Sequence, residues 1–550
     1  MQNLLTAAEI FGDFDANQPL EESVVKRTVT DGVVTECVYF TGRNFGEKKS
    51  RVYAELCYPD NSSAKSAILV INDSRKEIDH EDLIYWASYG FCAMAIDYRG
   101  YAEKGRFTLY PDVIEYANAS AQTDDYYVAN GVRNTKWYEY AINSMRAITY
   151  LKSLSFIKDV SVLTVGQGSR TGLIVLAMDG RIKKGSVVFG NLYEEYLQGR
   201  YSDDEEVMEV VAESDSKEEM EEVLHEDTLH KIWEIGLSPQ SYVPLIKVPL
   251  YVVSGGNSGT VDVVKLSTTY FRANDSSRLL IVPKVMDYMT ETCALNIVRW
   301  FEDKTVDDDL ELSLTDSDVL TVRVNTSFPA EDIRVWYCRD ASLKGKNWVK
   351  APVSVSEDGT ITAQLDVYAT GKEVLALAYM YNHETIDITS PLLRIKVSDK
   401  YRLKTATRLV FDGSMMSGKL IAIGNGKHWH SNENRLVRAE GYLGITGVEG
   451  KRMLTFAVHD DFVTYRNCDS ISLDVCTEIA GKLTLVATAE DGNRYTFEAD
   501  LAGDGKWQKV TAEYSAFYNE HGEPMPAEQR PLSMAFLCDN KIIVNNIVLI

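Results

Sequence analysis

Residues 161–178 join an apolar strand to a helix through a glycine-containing turn. The strand covers Ser161–Val165, the turn contains Gly166 and Gly168, and the helix begins at about Ser169. Glycine accepts tight backbone bends that other residues avoid. Because a short apolar strand followed by a helix is typical of a parallel sheet covered on both faces, this segment predicts an α/β fold.

The same alternation of strands and helices extends through residues 1–302. The segments that show it are Arg51–Asp60, Ser66–Asn72, Phe91–Gly105, Trp137–Leu154, Val248–Gly256 and Arg278–Pro283. In order and spacing these segments resemble the α/β-hydrolase superfamily, and within it bacterial acyl esterases and dipeptidyl-peptidase-like hydrolases that carry additional β-domains. The resemblance covers about residues 20–302. It implies a doubly wound, mostly parallel sheet.

In the α/β-hydrolases the strand-to-helix turn reads G-x-S-x-G and presents a nucleophilic serine. On this chain the pattern falls on residues 166–170, so the resemblance places Gly168 at the nucleophile position. Glycine has no atom that could attack a carbonyl. We therefore predict an inactive elbow in which Gly168→Ser costs about 0–2 kcal/mol. The fallback nucleophile is Ser169, whose other interpretation is a helix N-cap.

The acid and the base of a triad are also missing. The resemblance places the acid after the strand Val248–Gly256, where Ser258 or Asn257 stands and Asp262 lies a few residues later. It places the base after the next strand, where Asp287 or a neighbour stands. No histidine occurs between His230 and His383. Because a serine hydroxyl needs an adjacent base to attack at neutral pH, we expect no catalytic residues here.

The overall charge limits the partners of the chain. The net charge of −24 at pH 7 argues against nucleic acid and against an anionic membrane, since both require a basic surface. Much of the acidity lies in Tyr201–Asp227, where apolar residues recur at helical spacing. We predict an acidic helical cap insertion near residues 195–245, with a solvated surface rather than a cation site.

The N-terminal segment and the cysteines indicate the compartment. No basic residue precedes Lys26, so we predict no signal peptide, and no apolar run reaches the about 20 residues of a membrane helix. Cys57, Cys92 and Cys476 lie in apolar strand patterns typical of buried thiols, and no CxxC pair occurs. We predict a cytoplasmic protein with no metal and no cofactor.

The sequence pattern changes after residue 302. Short alternating segments with regular turns predict two all-β sandwich domains, the first immunoglobulin-like over residues 303–400 and the second a jelly roll over residues 401–550. Trp336 or Trp348 is the expected core aromatic of the first sandwich. The second resembles carbohydrate-binding modules, and Trp507 is its expected structural anchor.

Four aromatic residues of the last domain are candidates for stacking on a sugar ring, each with ordinary packing as the alternative. They are Trp429, Tyr442, Tyr465 and Tyr518. His428 and His430 share one face of an extended segment and could hold a metal with Glu433 or His459. Because two histidines in a polar loop specify little, we predict no metal site.

Three function classes follow from these residues. The first is a catalytically inactive α/β-hydrolase homologue that binds an oligosaccharide or a partner protein. The second is an active ester or peptide hydrolase with a rearranged site, for instance Ser169 with Asp262 and either His225 or His230. The third is a structural or assembly protein. The residues favour the first class, and they do not specify a ligand or an oligomeric state.

Overall fold

The computed structural model describes residues 5–61, 66–74, 76–99, 107–117, 126, 128–196, 217–286, 289–306, 309–341, 345–413, 419–423, 435–465, 467–526 and 528–550. The chain divides into two compact units. Unit 1 contains Met1–Val253, Thr260–Leu279 and Trp300–Asp303, and unit 2 contains Ser254–Gly259, Leu280–Arg299 and Lys304–Ile550. The domain boundaries after residues 302 and 400 stay predictions.

A mixed sheet dominates the first half of the chain. Its strands are β1 Ser23–Thr30, β2 Val33–Phe45, β3 Lys48–Pro59, β4 Ser66–Ile71, β5 Cys92–Ile96, β6 Asp159–Val165, β7 Gly185–Val188, β8 Leu250–Gly255 and β9 Arg278–Val282. In the described residues their order is β1-β2-β3-β5-β4-β6-β7-β8-β9. Strands β1, β2, β3 and β5 pair antiparallel, and β5, β4, β6, β7 and β8 pair parallel. This is an α/β-hydrolase-like domain, which confirms the predicted fold class.

Helices connect the strands of this domain. They are α1 Ala7–Phe11, α2 His80–Ser88, α3 Lys136–Ser153, α4 Ser169–Met178, α5 Lys217–Leu237, α6 Pro239–Tyr242, α7 Val263–Tyr270 and α8 Glu291–Phe301. Helix α3 begins where the Thr135 side chain accepts a hydrogen bond from the Tyr138 N–H at 3.3 Å. Helices α5 and α6 lie between β7 and β8, where the sequence predicts a helical insertion.

The parallel strands are buried except at the ends of β4 and β6. Every residue of β5, β7 and β8 is buried, because these strands consist of small or apolar residues that helices can cover on both faces. All eight cysteines of the chain are free and buried, which confirms Cys57, Cys92 and Cys476 as buried thiols. None of the helices in the described part of the chain is long and apolar enough to cross a membrane.

The second half of the chain consists of antiparallel sheets. Two sheets have the orders β10-β11-β15-β14 and β13-β12-β16-β17, with β18 beside β16. Their strands are β10 Leu310–Leu314, β11 Thr321–Thr326, β12 Ile333–Cys338, β13 Val349–Ala351, β14 Val353–Val355, β15 Ile361–Gln364, β16 Glu373–Met380, β17 Ile388–Thr389 and β18 Leu393–Lys396. Two such sheets fit a sandwich, and the immunoglobulin-like subtype stays a prediction.

The last sheet is built around one long strand, β27. Its strands are β19 Leu409–Phe411, β20 Ile421–Ala422, β21 Val437–Glu440, β22 Thr446–Thr455, β23 Ser470–Cys476, β24 Gly481–Ala489, β25 Arg494–Leu501, β26 Trp507–Glu513 and β27 Pro531–Leu549. Alternation forms its core, since Leu483, Leu485 and Ala487 of β24 are buried while the residues between them are less so. The jelly-roll subtype stays a prediction.

Candidate functional site

The turn between β6 and α4 bends at Gly166. Gly166 has a φ of +56°, in the left-handed region. Gly168 has a φ of −62° and a ψ of −15°, and Ser169 has a φ of −58° and a ψ of −37°, so both are right-handed helical. Because the nucleophile of an elbow occupies the strained position of the turn, its position here corresponds to Gly166.

The space around the two glycines leads to the same conclusion. A Cβ atom added to Gly166 would meet no atom within 4 Å. A Cβ atom on Gly168 would collide with the carbonyl oxygen of Ile71 and would lie 2.7 Å from that of Asn72. Gly168 is therefore a position where the backbone of a neighbouring strand end requires a small residue.

We infer that the elbow is shifted by two residues from the frame predicted from the sequence. The frame becomes Thr164–Gly168, with Gly166 at its centre in place of Gly168. This shift moves Arg170 out of the second small position, where it did not fit. The expected tolerance of Gly168→Ser is contradicted, because the serine Cβ would overlap backbone atoms.

Ser169 does not have the geometry of a nucleophile. It is the first residue of α4, with Gly168 as the N-cap, so the N-cap interpretation of Ser169 is wrong. Its side chain is only 1% exposed. It also packs against the chain at Gly190, where an added Cβ would lie 2.8 Å from the Ser169 Oγ. The Ser169 hydroxyl is therefore packed inside unit 1 and is not presented at the surface of the turn.

The other members of the rearranged site have their own partners. The Asp262 carboxylate caps α7 by accepting from the N–H groups of Val264 at 2.9 Å and Lys265 at 3.2 Å. The His230 ring stacks on Tyr196 with centroids 5.0 Å apart. His225 is exposed on α5. In the described part of unit 1, no contact joins Ser169, Asp262 and either histidine.

Arg170 of α4 is held in an aromatic cage. Its guanidinium lies 4.5 Å from the ring centroid of Trp137, 5.3 Å from that of Tyr126 and 6.0 Å from that of Trp233. Its Nε donates to the Glu194 carboxylate at 2.8 Å. The cage is thus filled by a side chain of the protein itself. This arrangement fixes the start of α4 directly after the elbow.

The loop after β8, where an acid would stand, is used for packing within unit 2. Asn257 is 3% exposed, and its Oδ1 accepts from the Lys346 N–H at 2.7 Å. The Trp348 Nε1 donates to the Gly256 carbonyl at 3.0 Å. Ser258, the predicted acid position, follows as a half-buried residue. The loop therefore binds the strand region around Trp348 and carries no carboxylate at these positions.

The loop after β9, where a base would stand, contains Lys284 in a left-handed conformation with a φ of +67°. Asp287, the predicted base position, lies outside the described residues. The Val285 carbonyl accepts from the Asn257 N–H at 3.0 Å, which ties the two loops together. The Lys284 Nζ lies 4.7 Å from the ring centroid of Trp336. Trp336 and Trp348, expected as alternatives for a sandwich core, thus both contact these loops.

Sequence reasoning missed a buried carboxylate on α3. Glu139 is fully buried, and its Oε1 accepts from the Arg43 Nη1 at 2.5 Å and from the Tyr116 hydroxyl at 3.2 Å. Its Oε2 has no hydrogen-bond partner among the residues that the structure describes. Burial raises the pKa of Glu139 to about 7, and the nearby Arg43 only partly offsets this. Arg43 and Tyr116 both bind the same carboxylate oxygen inside unit 1. The network therefore reads as a structural ion pair of unit 1.

Two of the four aromatic candidates for sugar stacking are exposed. The Tyr442 side chain is 46% exposed and that of Tyr518 is 49% exposed. The Trp507 Nε1 donates to the Tyr442 carbonyl at 2.8 Å, so Trp507 anchors the backbone that carries this tyrosine. In the described residues no ring contact joins Tyr442 to Tyr518.

The two other candidates give no platform. Tyr465 packs against the domain core, with its ring 5.5 Å from that of Tyr514 and with the Arg530 guanidinium 5.2 Å from its centroid. Trp429 lies outside the described residues, as do His428, His430 and Glu433. His459 was the other possible metal ligand, and its Nε2 lies 2.7 Å from the Glu490 carboxylate.

Comparisons with known proteins identify only remote similarity. No family model matches the chain, and no curated protein matches it. An acetyl xylan esterase from a Paenibacillus species is similar over 52% of this chain and 90% of that chain, with 17% identity and a TM-score of 0.39. A glucuronoyl esterase from Solibacter usitatus is similar over 55% of this chain and 94% of that chain, with 10% identity and a TM-score of 0.35. Similarities at this level do not indicate what this chain does.

Proposed function

We propose that this protein is a catalytically inactive α/β-hydrolase homologue that functions by binding. The observation that carries the proposal is the elbow, where the left-handed position is Gly166. An acyl transfer needs a nucleophile at this position, and glycine supplies none. The hydroxyl of Ser169, three residues after Gly166, is buried at the start of α4.

The two loops of unit 2 support the same proposal. Asn257, next to the predicted acid position, is buried and bonded to the Lys346 backbone. The loop after β9 contains Lys284 rather than a histidine. A catalytic acid needs a free carboxylate and a catalytic base needs a reachable imidazole or equivalent group. These loops instead pack against Trp336 and Trp348.

We expect the full-length protein to show no hydrolysis of p-nitrophenyl acetate above buffer and no labelling by a fluorophosphonate probe. The physical reason is that the nucleophile and its base act as a unit, so loss of either lowers the rate by several orders of magnitude. The measurement is turnover by absorbance together with in-gel fluorescence. Turnover that disappears in Ser169→Ala would support the rearranged hydrolase instead.

For the binding role we propose a neutral oligosaccharide that stacks on the exposed aromatic residues of the last domain. Tyr442 and Tyr518 are the two described candidates that solvent reaches. The backbone at Tyr442 is fixed by Trp507, so stacking there needs little additional ordering. A protein partner or an assembly role remains the competing outcome, and the test below separates them.

We expect Tyr442→Ala to weaken binding of neutral hexasaccharides (cello-, xylo- and manno-) by about tenfold, since an aromatic platform contributes roughly 1–2 kcal/mol. The anchoring bond uses the Tyr442 carbonyl, so the substitution leaves it in place. The measurement is isothermal titration calorimetry at low and moderate salt, between which we expect little change.

A matched control for this experiment is Tyr381→Ala. Tyr381 is 42% exposed but lies outside the last domain, so its loss is expected to leave saccharide affinity unchanged. If wild type gives no heat with any of the three sugars, the saccharide role is excluded and the assembly role gains support. If affinity collapses with salt, binding rests on ion pairing rather than on stacking.

A further inference from the structure

Unit 2 contains a group of basic side chains that we call the cation cluster: Lys284, Arg334, Lys350 and Lys419. The Lys284 Nζ lies 4.7 Å from the ring centroid of Trp336. Lys350 stands directly opposite Trp336 in the register of β12 and β13. Arg334 precedes Trp336 by two residues on β12. Cross-strand partners and alternate residues share one face of a sheet, so these side chains project to the same side.

Two pairs of cations in the cluster repel each other, Lys284 with Lys419 and Lys350 with Arg334. Burial lowers the pKa of Lys284 to about 7, and repulsion from Lys419 adds to the effect. Burial and repulsion from Arg334 lower the pKa of Lys350 in the same way. The Lys419 Nζ lies 3.8 Å from the ring centroid of Phe462. The aromatic faces thus offset part of the charge, but the ammonium groups remain poorly solvated.

Among the described residues no ion pair neutralises Lys284, Arg334 or Lys350, and only Lys419 has carboxylates facing it. Across the described residues, none of its four members is within ion-pair distance of an aspartate or a glutamate. Lys419 donates to the Val410 carbonyl at 2.9 Å, and the acids that face it are Asp460 and Asp412. Asp460 is already bonded to Arg339 at 2.9 Å. In a chain with 81 acidic and 57 basic residues, the missing counter-charge does not follow from composition.

We propose that the cation cluster is a binding site for an oxyanion, namely the phosphate, sulfate or carboxylate group of a small ligand. An oxyanion would neutralise the repulsion and accept charge-assisted hydrogen bonds from the ammonium and guanidinium groups. The exposed part of the Trp336 ring would contact the carbon skeleton of the ligand. This site is separate from Tyr442 and Tyr518, so it does not depend on the saccharide proposal.

The test is isothermal titration of the full-length protein with sodium sulfate, inorganic phosphate and D-glucuronate at constant ionic strength. D-glucose is the neutral control for glucuronate. We expect saturable binding of at least one oxyanion and none of glucose. Preference for sulfate and phosphate would identify a dianion ligand, and preference for glucuronate would identify a sugar acid. No saturable binding of any of the three would overturn the proposal.

The affinity for sulfate is expected to fall about tenfold between pH 6 and pH 8.5. Lys284 has a pKa near 7, so it is charged at pH 6 and loses its proton above pH 7. Sulfate keeps its charge over this pH range, whereas phosphate does not. A change in sulfate affinity with pH therefore reports the protonation of the protein alone. Among the described residues, the charged group that acts on Lys284 is Lys419, whose repulsion lowers the pKa of Lys284 in the same direction as burial. A flat profile would contradict the assignment of Lys284.

Variants separate this site from general charge effects. We expect Lys284→Gln to weaken sulfate binding about tenfold and Lys284→Arg to retain it. Lys482→Gln is the control, because Lys482 is exposed and paired with Glu498 at 2.7 Å, and we expect no change there. Equal binding by wild type and Lys284→Gln would refute the site. If circular dichroism shows that Lys284→Gln does not fold, the exposed Lys350→Gln takes its place with the same expected loss.

Discussion

Arg339→Met is expected to lower the free energy of unfolding of unit 2 by about 3–5 kcal/mol, because it leaves a buried carboxylate without its cation. The Arg339 Nη1 donates to both oxygens of Asp460, at 2.9 and 3.1 Å. The two side chains are 7% and 2% exposed. Asp460 also accepts from the Asn347 Nδ2 at 2.6 Å, which cannot replace a full charge. Urea unfolding followed by tryptophan fluorescence measures the loss.

The control for this prediction is Arg402→Met. Arg402 pairs with Asp318 at 2.8 Å, but the side chains are 75% and 64% exposed, so water screens the pair. Its loss is expected to change the free energy of unfolding by no more than about 0.5 kcal/mol. We expect the double variant Arg339→Met with Asp460→Asn to lose less free energy of unfolding than the two single variants lose together. Equal effects of Arg339→Met and Arg402→Met would show that the buried pair is not essential.

The fold could be predicted because short sequence patterns identify its strands. Apolar segments such as Ser66–Asn72 and Phe91–Ile96 have no polar face, so they must lie inside a covered sheet. The alternation after residue 302 likewise predicts antiparallel strands. Each of these patterns predicts a single strand or helix. They do not determine which elements pack together or what subtype each sandwich has.

The positions of the site residues depend on contacts that the local sequence does not record. The burial of Lys284 depends on Trp336, and the burial of Asn257 depends on Lys346, both far along the chain. One signal was present in the sequence, since Lys284 is a lone charge in the apolar run Leu279–Met286. A lone lysine in such a run indicates either an exposed turn or a functional cation, and only the structure separates the two.

The elbow shows a different limit of sequence reasoning. A pattern such as G-x-S-x-G gives spacing but not φ, so two glycines two residues apart give two possible frames. The misfit of Arg170 at a small position was the available signal against the first frame. In the second frame Thr164 and Gly168 are both small, and Gly166 carries the left-handed φ. The absence of a nucleophile is common to both frames.

Gly168→Asn is expected to lower the free energy of unfolding of unit 1 by about 3 kcal/mol or more. The new Cβ would overlap the Ile71 carbonyl oxygen, and a backbone atom in a buried sheet cannot move aside as a side chain does. Thermal unfolding and urea unfolding followed by far-UV circular dichroism measure the change.

The matched variant is Gly166→Asn, which introduces the same side chain two residues earlier. Its Cβ meets open space, and asparagine enters the left-handed region more readily than other residues. We therefore expect a smaller cost, of about 1–2 kcal/mol, set by the backbone strain at Gly166 rather than by a collision. The difference between the two variants reports which glycine is held by packing and which by conformation. If Gly166→Asn were the more damaging of the two, the strain of the left-handed backbone at Gly166 would outweigh the packing around Gly168, contrary to this prediction.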